Sequence, residues 1–312
     1  MPTTLHSVLL SKPRSFQRLI RISVHCFICC LLLLTSVDSA VAEITVTDDI
    51  GSRVQLQQPT RRIISLAPHA TEMLFSAGAG DQLVGVVSYS DYPEQAKTLP
   101  RVGGYRQLDL EAIIALQPDL VVGWHSGNSK ESIERLKSLG VAVYLTEPKT
   151  LEQIASNLER LGKLTGTETI ANSAALNFRT RLQSLQETYQ GRSAVRVFYQ
   201  VWNQPLMTIN RNHLINHLIE LCGGVNVFAD IDAIAPTISR ESVLAMNPEA
   251  IVASGMGEAR PEWLDDWRSW PGLEAVRSNH LFFVPPDLLQ RQTVRVMDGA
   301  EQLCQHLQTV RP

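Results

Sequence analysis

Tyr89, Tyr92, Tyr105 and the pair Trp124-His125 are the residues that chemistry picks out first in this 312-residue chain, because each stands in or near a loop that follows an apolar run of strand length. Tyr and Trp combine a large rigid face with a polar tip, which suits holding a ligand more than transforming one. Each ring taken alone could equally be a half-buried packing residue; their gathering on strand-end loops favours a binding cleft. His69 and His125 fall on the same kind of loop and could ligate cobalt, haem iron or zinc. No third ligand at metal spacing accompanies them, and a structural zinc site takes four. The plainer reading is two polar loop histidines, His69 helping to cap the helix behind Pro68. Beyond residue 42 there is no phosphate-binding Gly-rich loop, G-x-S-x-G, H-E-x-x-H or C-x-x-C. A hydrolase with His69 or His125 as base therefore lacks a nucleophile elbow and a triad partner.

The elements that would carry these residues alternate between strand and helix. Residues 44–56 alternate apolar and polar around Asp49-Ile50-Gly51, a hairpin pattern. Residues 61–66 predict a buried strand ended by Pro68, and Thr71-Glu72 opens a helix to Ala77, stopped by Gly78 and Gly80. Strands follow at 83–87, 120–123 and 141–145, helices at 109–116 and 129–139, with Gly140 behind the latter. Residues 150–163 and 168–189 are helical. The second has no Gly or Pro, and Ile170, Ala174, Phe178, Leu182, Leu185 and Tyr189 recur at helical spacing. At 22 residues it would be roughly 33 Å long, enough to cross a small domain. After Gly191 come strands at 195–200, 251–253 and 281–284 and helices at 213–221, 241–246 and 294–307, the first of these ended by Gly223-Gly224. Such alternation implies parallel sheets covered on both faces.

The chain also echoes itself. Residues 110–122 (LEAIIALQPDLVV) resemble 240–252 (RESVLAMNPEAIV), each a helix, a Pro, an acid and a buried strand. The offset suggests two similar lobes; joined by one long helix they leave a cleft, where small ligands usually bind. Glu111 and Glu241 occupy equivalent places in the echo. Each stands in a helix first turn, where an acid stabilises the macrodipole.

Composition narrows the class. With 28 Lys+Arg against 31 Asp+Glu, 44% hydrophobic and 19% charged residues, the chain is neither disordered nor a general nucleic-acid binder. Residues 1–42 are a separate object. Lys12, Arg14, Arg18 and Arg21 precede an apolar run of about 13 residues, short of the roughly 20 that a membrane span needs. Ala40-Val41-Ala42 then has the small-x-small form read by a signal peptidase, so cleavage is expected near Ala42, followed by export. Removing four Lys/Arg and one Asp leaves 24 basic and 30 acidic residues, net −6, over 270 positions. Only Cys222 and Cys304 remain. In an oxidising compartment they most simply form one disulfide, worth roughly 4–5 kcal/mol in the chain-entropy model; two buried free thiols are the alternative.

Three segments carry a specific resemblance: 62–72 (RIISLAPHATE), 88–93 (SYSDYP) and 110–119 (LEAIIALQPD). With the opening 46–53 (VTDDIGSR), they are similar to the periplasmic substrate-binding proteins of iron-siderophore and vitamin B12 ABC transporters. SYSDYP, Trp124 with Gly127-Asn128, and 221–228 (LCGGVNVF) resemble the B12-binding members most. The similarity spans about residues 44–308.

The resemblance implies an α/β fold of two Rossmann-like lobes joined by a single long rigid helix, a class III periplasmic binding protein. The lobes would cover 43–166 and 192–312, with the helix at 167–191. It implies cobalamin as transported ligand, no resident cofactor or metal, no catalytic residue, and an inner-membrane ABC permease with its ATPase as partner. A siderophore or haem on the same fold is the alternative ligand. By motif position Tyr89 would contact the corrin, with Tyr105 and Trp124 as further walls. Asp287, Leu288, Leu289, Gln290 and Arg291, in the loop after the last strand, match a ligand-contacting segment; Leu288, Leu289, Met207 and Ala235 stand where aromatics are expected. Arg106 and Arg291 are the cleft arginines an anionic ligand could use. Glu111 and Glu241 match the two glutamates that dock onto permease arginines, and Cys222 and Cys304 the disulfide positions.

Overall fold

The computed structural model describes Met1, Thr3 and residues 43–312 apart from Met256 and Glu258; the export-signal reading lies outside the described residues. The chain opens with an antiparallel hairpin, β1 (Ile44–Thr47) and β2 (Arg53–Leu56). The Asp49 carboxylate ties it down by accepting from the Glu147 backbone N–H at 2.7 Å, from Asn157 Nδ2 at 2.7 Å and from the Arg160 guanidinium.

Two four-stranded parallel sheets follow. The first has the order β4-β3-β5-β6, from β3 (Ile63–Ser65), β4 (Leu83–Val86), β5 (Leu120–Trp124) and β6 (Ala142–Thr146). Between these strands run α1 (Pro68–Ser76), α2 (Leu110–Ala115) and α3 (Lys130–Ser138). Next come α4 (Leu151–Thr165), opened by a Thr150/Gln153 capping box, and α5 (Glu168–Tyr189). The second sheet has the order β10-β9-β7-β8, from β7 (Val195–Gln200), β8 (Gly224–Asn226), β9 (Ala250–Ala253) and β10 (Leu281–Phe283). Its helices are α6 (Leu214–Leu221), α7 (Arg240–Met246), α8 (Glu274–Arg277), α9 (Pro286–Leu289) and α10 (Val296–Val310).

The strands are apolar on both faces because both faces are covered. Ile63 and Val122 point into one core while Ile64 and Val121 point into another on the far side of the first sheet. In the second sheet Val195, Val197 and Tyr199 join that first core, which runs on through α4, α5 and α10, while Phe198 and Ile251 pack against Trp267 on the opposite face. The α5 helix meets α4 and α1 from one half of the chain and α10 and α6 from the other.

The internal echo is structural. Asp119 accepts from the backbone N–H of Arg61 and Arg62 at 2.8 and 3.1 Å, and Glu249 accepts from that of Arg196 at 2.8 Å. The Arg62 side chain donates to the Leu116 carbonyl at the end of α2, and that of Arg196 to the Met246 carbonyl at the end of α7. Gln117 and Asn247, at equivalent places, both adopt positive φ, 46° and 41°. Each unit is therefore a helix whose end carbonyl is capped by an Arg at the start of an earlier strand, the one paired with the strand that follows the helix, and that Arg is itself positioned by the acid after the Pro.

Several expectations need correction. Helix α1 starts at Pro68, not Thr71; Pro is tolerated at the first helical position because its missing N–H has no partner there anyway. His69 is thus inside the helix, and no side chain caps it. Along the apolar stripe of α5, Phe178 is buried and Ala174, Leu182, Leu185 and Tyr189 pack half-buried against the core as expected, with Ala171 and Ala175 buried beside them. Ile170, expected in that stripe, is 55% exposed; small Ala171 takes the contact because α4 comes so close that a Cβ on Gly162 would lie 2.5 Å from the Ala171 methyl. Gly223-Gly224 does more than end α6, since Gly224 begins β8. The segment after β10 is not a plain loop: α9 covers Asp287, Leu288 and Leu289.

Candidate functional site

The strand-end loops of the first sheet are built around the aromatic residues. Trp124 closes β5 at the sheet's carboxyl edge, with its ring 5.7 Å from Tyr105 and edge-on to His69 at 5.4 Å. Asn128 holds this group together. Its Oδ1 accepts from the Trp124 backbone N–H at 2.6 Å, and its Nδ2 donates to the carbonyls of Tyr105 at 2.7 Å and Leu66 at 2.9 Å. Only glycine fits at 127, because a Cβ there would collide with the Trp124 indole. Two loops and a strand end are thus pinned by one buried amide, which fixes the backbone from which the two rings project.

Tyr89 is presented differently. Its ring is 74% exposed and its backbone sits at φ 65°, a left-handed conformation costly for a residue with a bulky side chain. Arg101 supports the turn on both sides by donating to the carbonyls of Val87 at 3.1 Å and Ser90 at 2.9 Å. Packing does not explain an exposed ring on a braced, strained turn.

Across from these loops stand those of the second sheet, and charge joins the two sets. Glu72, on α1, is 2% exposed. Its carboxylate receives Arg295 through two hydrogen bonds of 2.8 and 2.7 Å and Arg291 through one of 2.8 Å. Arg291 also pairs with Asp91 at 2.9 Å and Asp287 at 3.1 Å, and the Arg295 guanidinium lies 3.8 Å above the Tyr92 ring. Burial raises the Asp287 pKa, opposed by the two arginines.

The expected site residues divide accordingly. Tyr89 and Tyr105 lie on strand-end loops of the first sheet and Trp124 ends β5, while Arg291 reaches Glu72 on α1 and Asp91 on the loop after β4, with Asp287 beside it. Gln290 is exposed and donates to the Gly255 carbonyl at 3.4 Å. Leu288 is half-buried, while Leu289 is 1% exposed and packs into the central core. Met207 pairs by backbone with Trp202 and Thr237. His125 is exposed. Arg106 lies 5.6 Å from the Tyr105 ring. Among the described residues no group of three or more His, Cys, Asp or Glu is placed to hold a metal. Glu111 and Glu241 are exposed in the first turns of α2 and α7, behind the N-caps Asp109 and Ser239. Cys222 and Cys304 are disulfide-bonded, joining α6 to α10. Two surface grooves of about 750 and 760 Å³ run along α5; neither is lined by Tyr89, Tyr105 or Trp124.

Sequence reasoning missed Glu72, Arg101 and Arg295. Glu72 and Arg295 meet across more than 200 positions, and Arg101 acts through the backbone carbonyls of Val87 and Ser90.

His69 carries a pH consequence. It is 6% exposed, its Nε2 has no hydrogen-bond partner, and burial, with a smaller contribution from Arg291, lowers its pKa from 6.5 to about 4. The unfolded chain then binds a proton between pH 6.5 and 4 that the folded chain refuses, so stability falls as pH drops through that window. His213, also lowered to about 4 chiefly by burial, shares the effect. Unfolding free energies measured across pH 4–7 should show His69→Gln with a shallower pH slope than the parent; equal slopes would contradict the assignment.

The model of the periplasmic binding protein family matches residues 63–288. The chain belongs to this family. A curated relative of this periplasmic binding protein, the vitamin B12-binding protein of Vibrio cholerae, is 40% identical over 250 residues, covering 80% of this chain and 90% of that protein. The crystal structure of the periplasmic vitamin B12 binding protein of Vibrio cholerae superposes with a TM-score of 0.74 at 39% identity, covering 81% of this chain and 98% of that one. A periplasmic heme binding protein from Pseudomonas aeruginosa superposes with a TM-score of 0.68 at 27% identity, covering 78% and 91%. These neighbours share the two α/β lobes with parallel sheets. Among the described residues of this periplasmic binding protein, no helix is long and apolar enough to cross a membrane.

Proposed function

We propose that this chain binds cobalamin in the crevice between its strand-end loops and delivers it, in the periplasm, to an ABC permease and its ATPase. Lobes at residues 43–166 and 192–312, with a connecting helix at 167–191, would form the two walls. The observation that carries the reading is the braced aromatic set, Trp124 and Tyr105 pinned by Asn128 with Tyr89 displayed on a strained turn. Flat aromatic faces complement the apolar faces of a corrin, and prior bracing lowers the ordering cost of binding. The Vibrio relative supports the choice of ligand. Tyr89, Tyr105, Trp124, Asp287, Leu288, Gln290 and Arg291 are the proposed contacts; Glu111 and Glu241 are the proposed permease contacts.

The test is a calorimetric titration with cyanocobalamin, haemin and a ferric siderophore. Saturable heat with cyanocobalamin alone is expected; saturation by either of the others in its place would overturn the reading. Within the same assay, Trp124→Ala removes the central ring of the wall and should weaken cyanocobalamin by about 2 kcal/mol, roughly thirtyfold in Kd. An unchanged Kd would remove Trp124 from the wall.

A further inference from the structure

Glu72, Asp91 and Asp287 face Arg291 and Arg295 in one cluster where the loops of the two sheets meet. Three carboxylates against two guanidinium groups leave one net negative charge. Arg291 and Arg295 are each 16% exposed, whereas Asp91 and Asp287 keep 46% and 27% of their side-chain surface open. The crevice edge therefore presents acceptor oxygens, while the cations behind them are already paired. Glu72 does most to bring this about: it is nearly inaccessible, and it engages both arginines at once.

We propose that Glu72 is a specificity-determining positioning residue that holds Arg291 and Arg295 neutralised, so that the crevice accepts a macrocycle edged with uncharged amides and discriminates against one edged with carboxylates. The inference rests on the cobalamin reading. Amide N–H groups can donate to the open oxygens of Asp91 and Asp287. A carboxylate at the same place meets like charge, and the Arg291 charge behind it is already shared among Glu72, Asp91 and Asp287. Arg106, over the Tyr105 ring, lies on the first sheet's loops and outside this cluster.

The experiment compares Kd for cyanocobalamin with Kd for a cobalamin monocarboxylic acid, in which one side-chain amide is hydrolysed. The parent chain, Glu72→Gln and Asp91→Asn are titrated side by side. Glu72→Gln keeps the shape and removes the charge; Asp91 is exposed, so Asp91→Asn keeps the fold even if Glu72→Gln does not. The parent should prefer the amide form by roughly tenfold or more, and each variant should narrow that ratio by severalfold. Glu72→Asp, which restores the charge, should restore the preference. A purely structural role for Glu72 would weaken both ligands equally and leave the ratio unmoved. A parent that binds cyanocobalamin without preference, or ratios that stay put in the folded variants, overturns this inference alone. A parent that binds neither corrinoid overturns the cobalamin reading itself.

Discussion

Reversing charge at both Glu111 and Glu241 should abolish ligand uptake while leaving ligand affinity where it was. Both residues are exposed on the first turns of α2 and α7, which the internal echo makes equivalent in the two lobes. Hydrogen bonds from its own backbone N–H and from Ser239 hold the Glu241 carboxyl below its ordinary range, so it is ionised at neutral pH. Neither residue belongs to the aromatic wall or to the Glu72 cluster. The helix ends also keep their N-caps, with Asp109 accepting from the Ala112 N–H and Ser239 from the Ser242 N–H. In the proposed docking, where Glu111 and Glu241 face permease cations, arginines at both places would replace attraction by repulsion at two points at once. Transport by Glu111→Arg/Glu241→Arg into vesicles carrying the permease should drop by at least about a hundredfold, with an unchanged calorimetric Kd. Transport at the parental rate would remove both residues from the docking surface.

Loss of the disulfide should have the largest effect on stability. Cys222 and Cys304 are 82 residues apart in sequence and both fully buried, at the end of α6 and within α10. Opening that loop in the unfolded ensemble restores entropy worth about 2–5 kcal/mol. For a chain of this size the melting temperature should fall by roughly 5–15 °C in Cys222→Ala/Cys304→Ala. Alanine is preferred to serine because a buried hydroxyl would add its own penalty. An unchanged melting temperature would mean that packing of α6 on α10 suffices without the bond.

The long helix and the alternation of strand and helix were legible because they depend on local pattern. No Gly or Pro interrupts 168–189, and α5 has those bounds. The hairpin turn at Asp49-Ile50-Gly51 was legible for the same reason. Strand β8 was not, since three residues opening on Gly carry almost no periodicity. The apolar face of α5 was legible too, except at its start, where close approach at Gly162 selects Ala171 over Ile170, a choice made by the neighbouring helix.

The site divides along the same line. The rings at 89, 105 and 124 could be placed at strand ends because such positions can be located from sequence. Their supports were not. Arg101 braces Tyr89 through backbone carbonyls, which any residue would supply. Glu72 finds its partners more than 200 positions away; within its own segment it reads only as an acid near a helix start. Leu289 was assigned to the crevice by motif position, but α9 turns it inward.

Gel filtration of the purified mature chain after incubation with saturating cyanocobalamin asks the decisive question. The protein peak should carry the visible absorbance of the vitamin at about one equivalent per chain, and Trp124→Ala should lose most of it. A colourless protein peak from the folded parent chain would mean that the braced aromatic loops hold some other molecule.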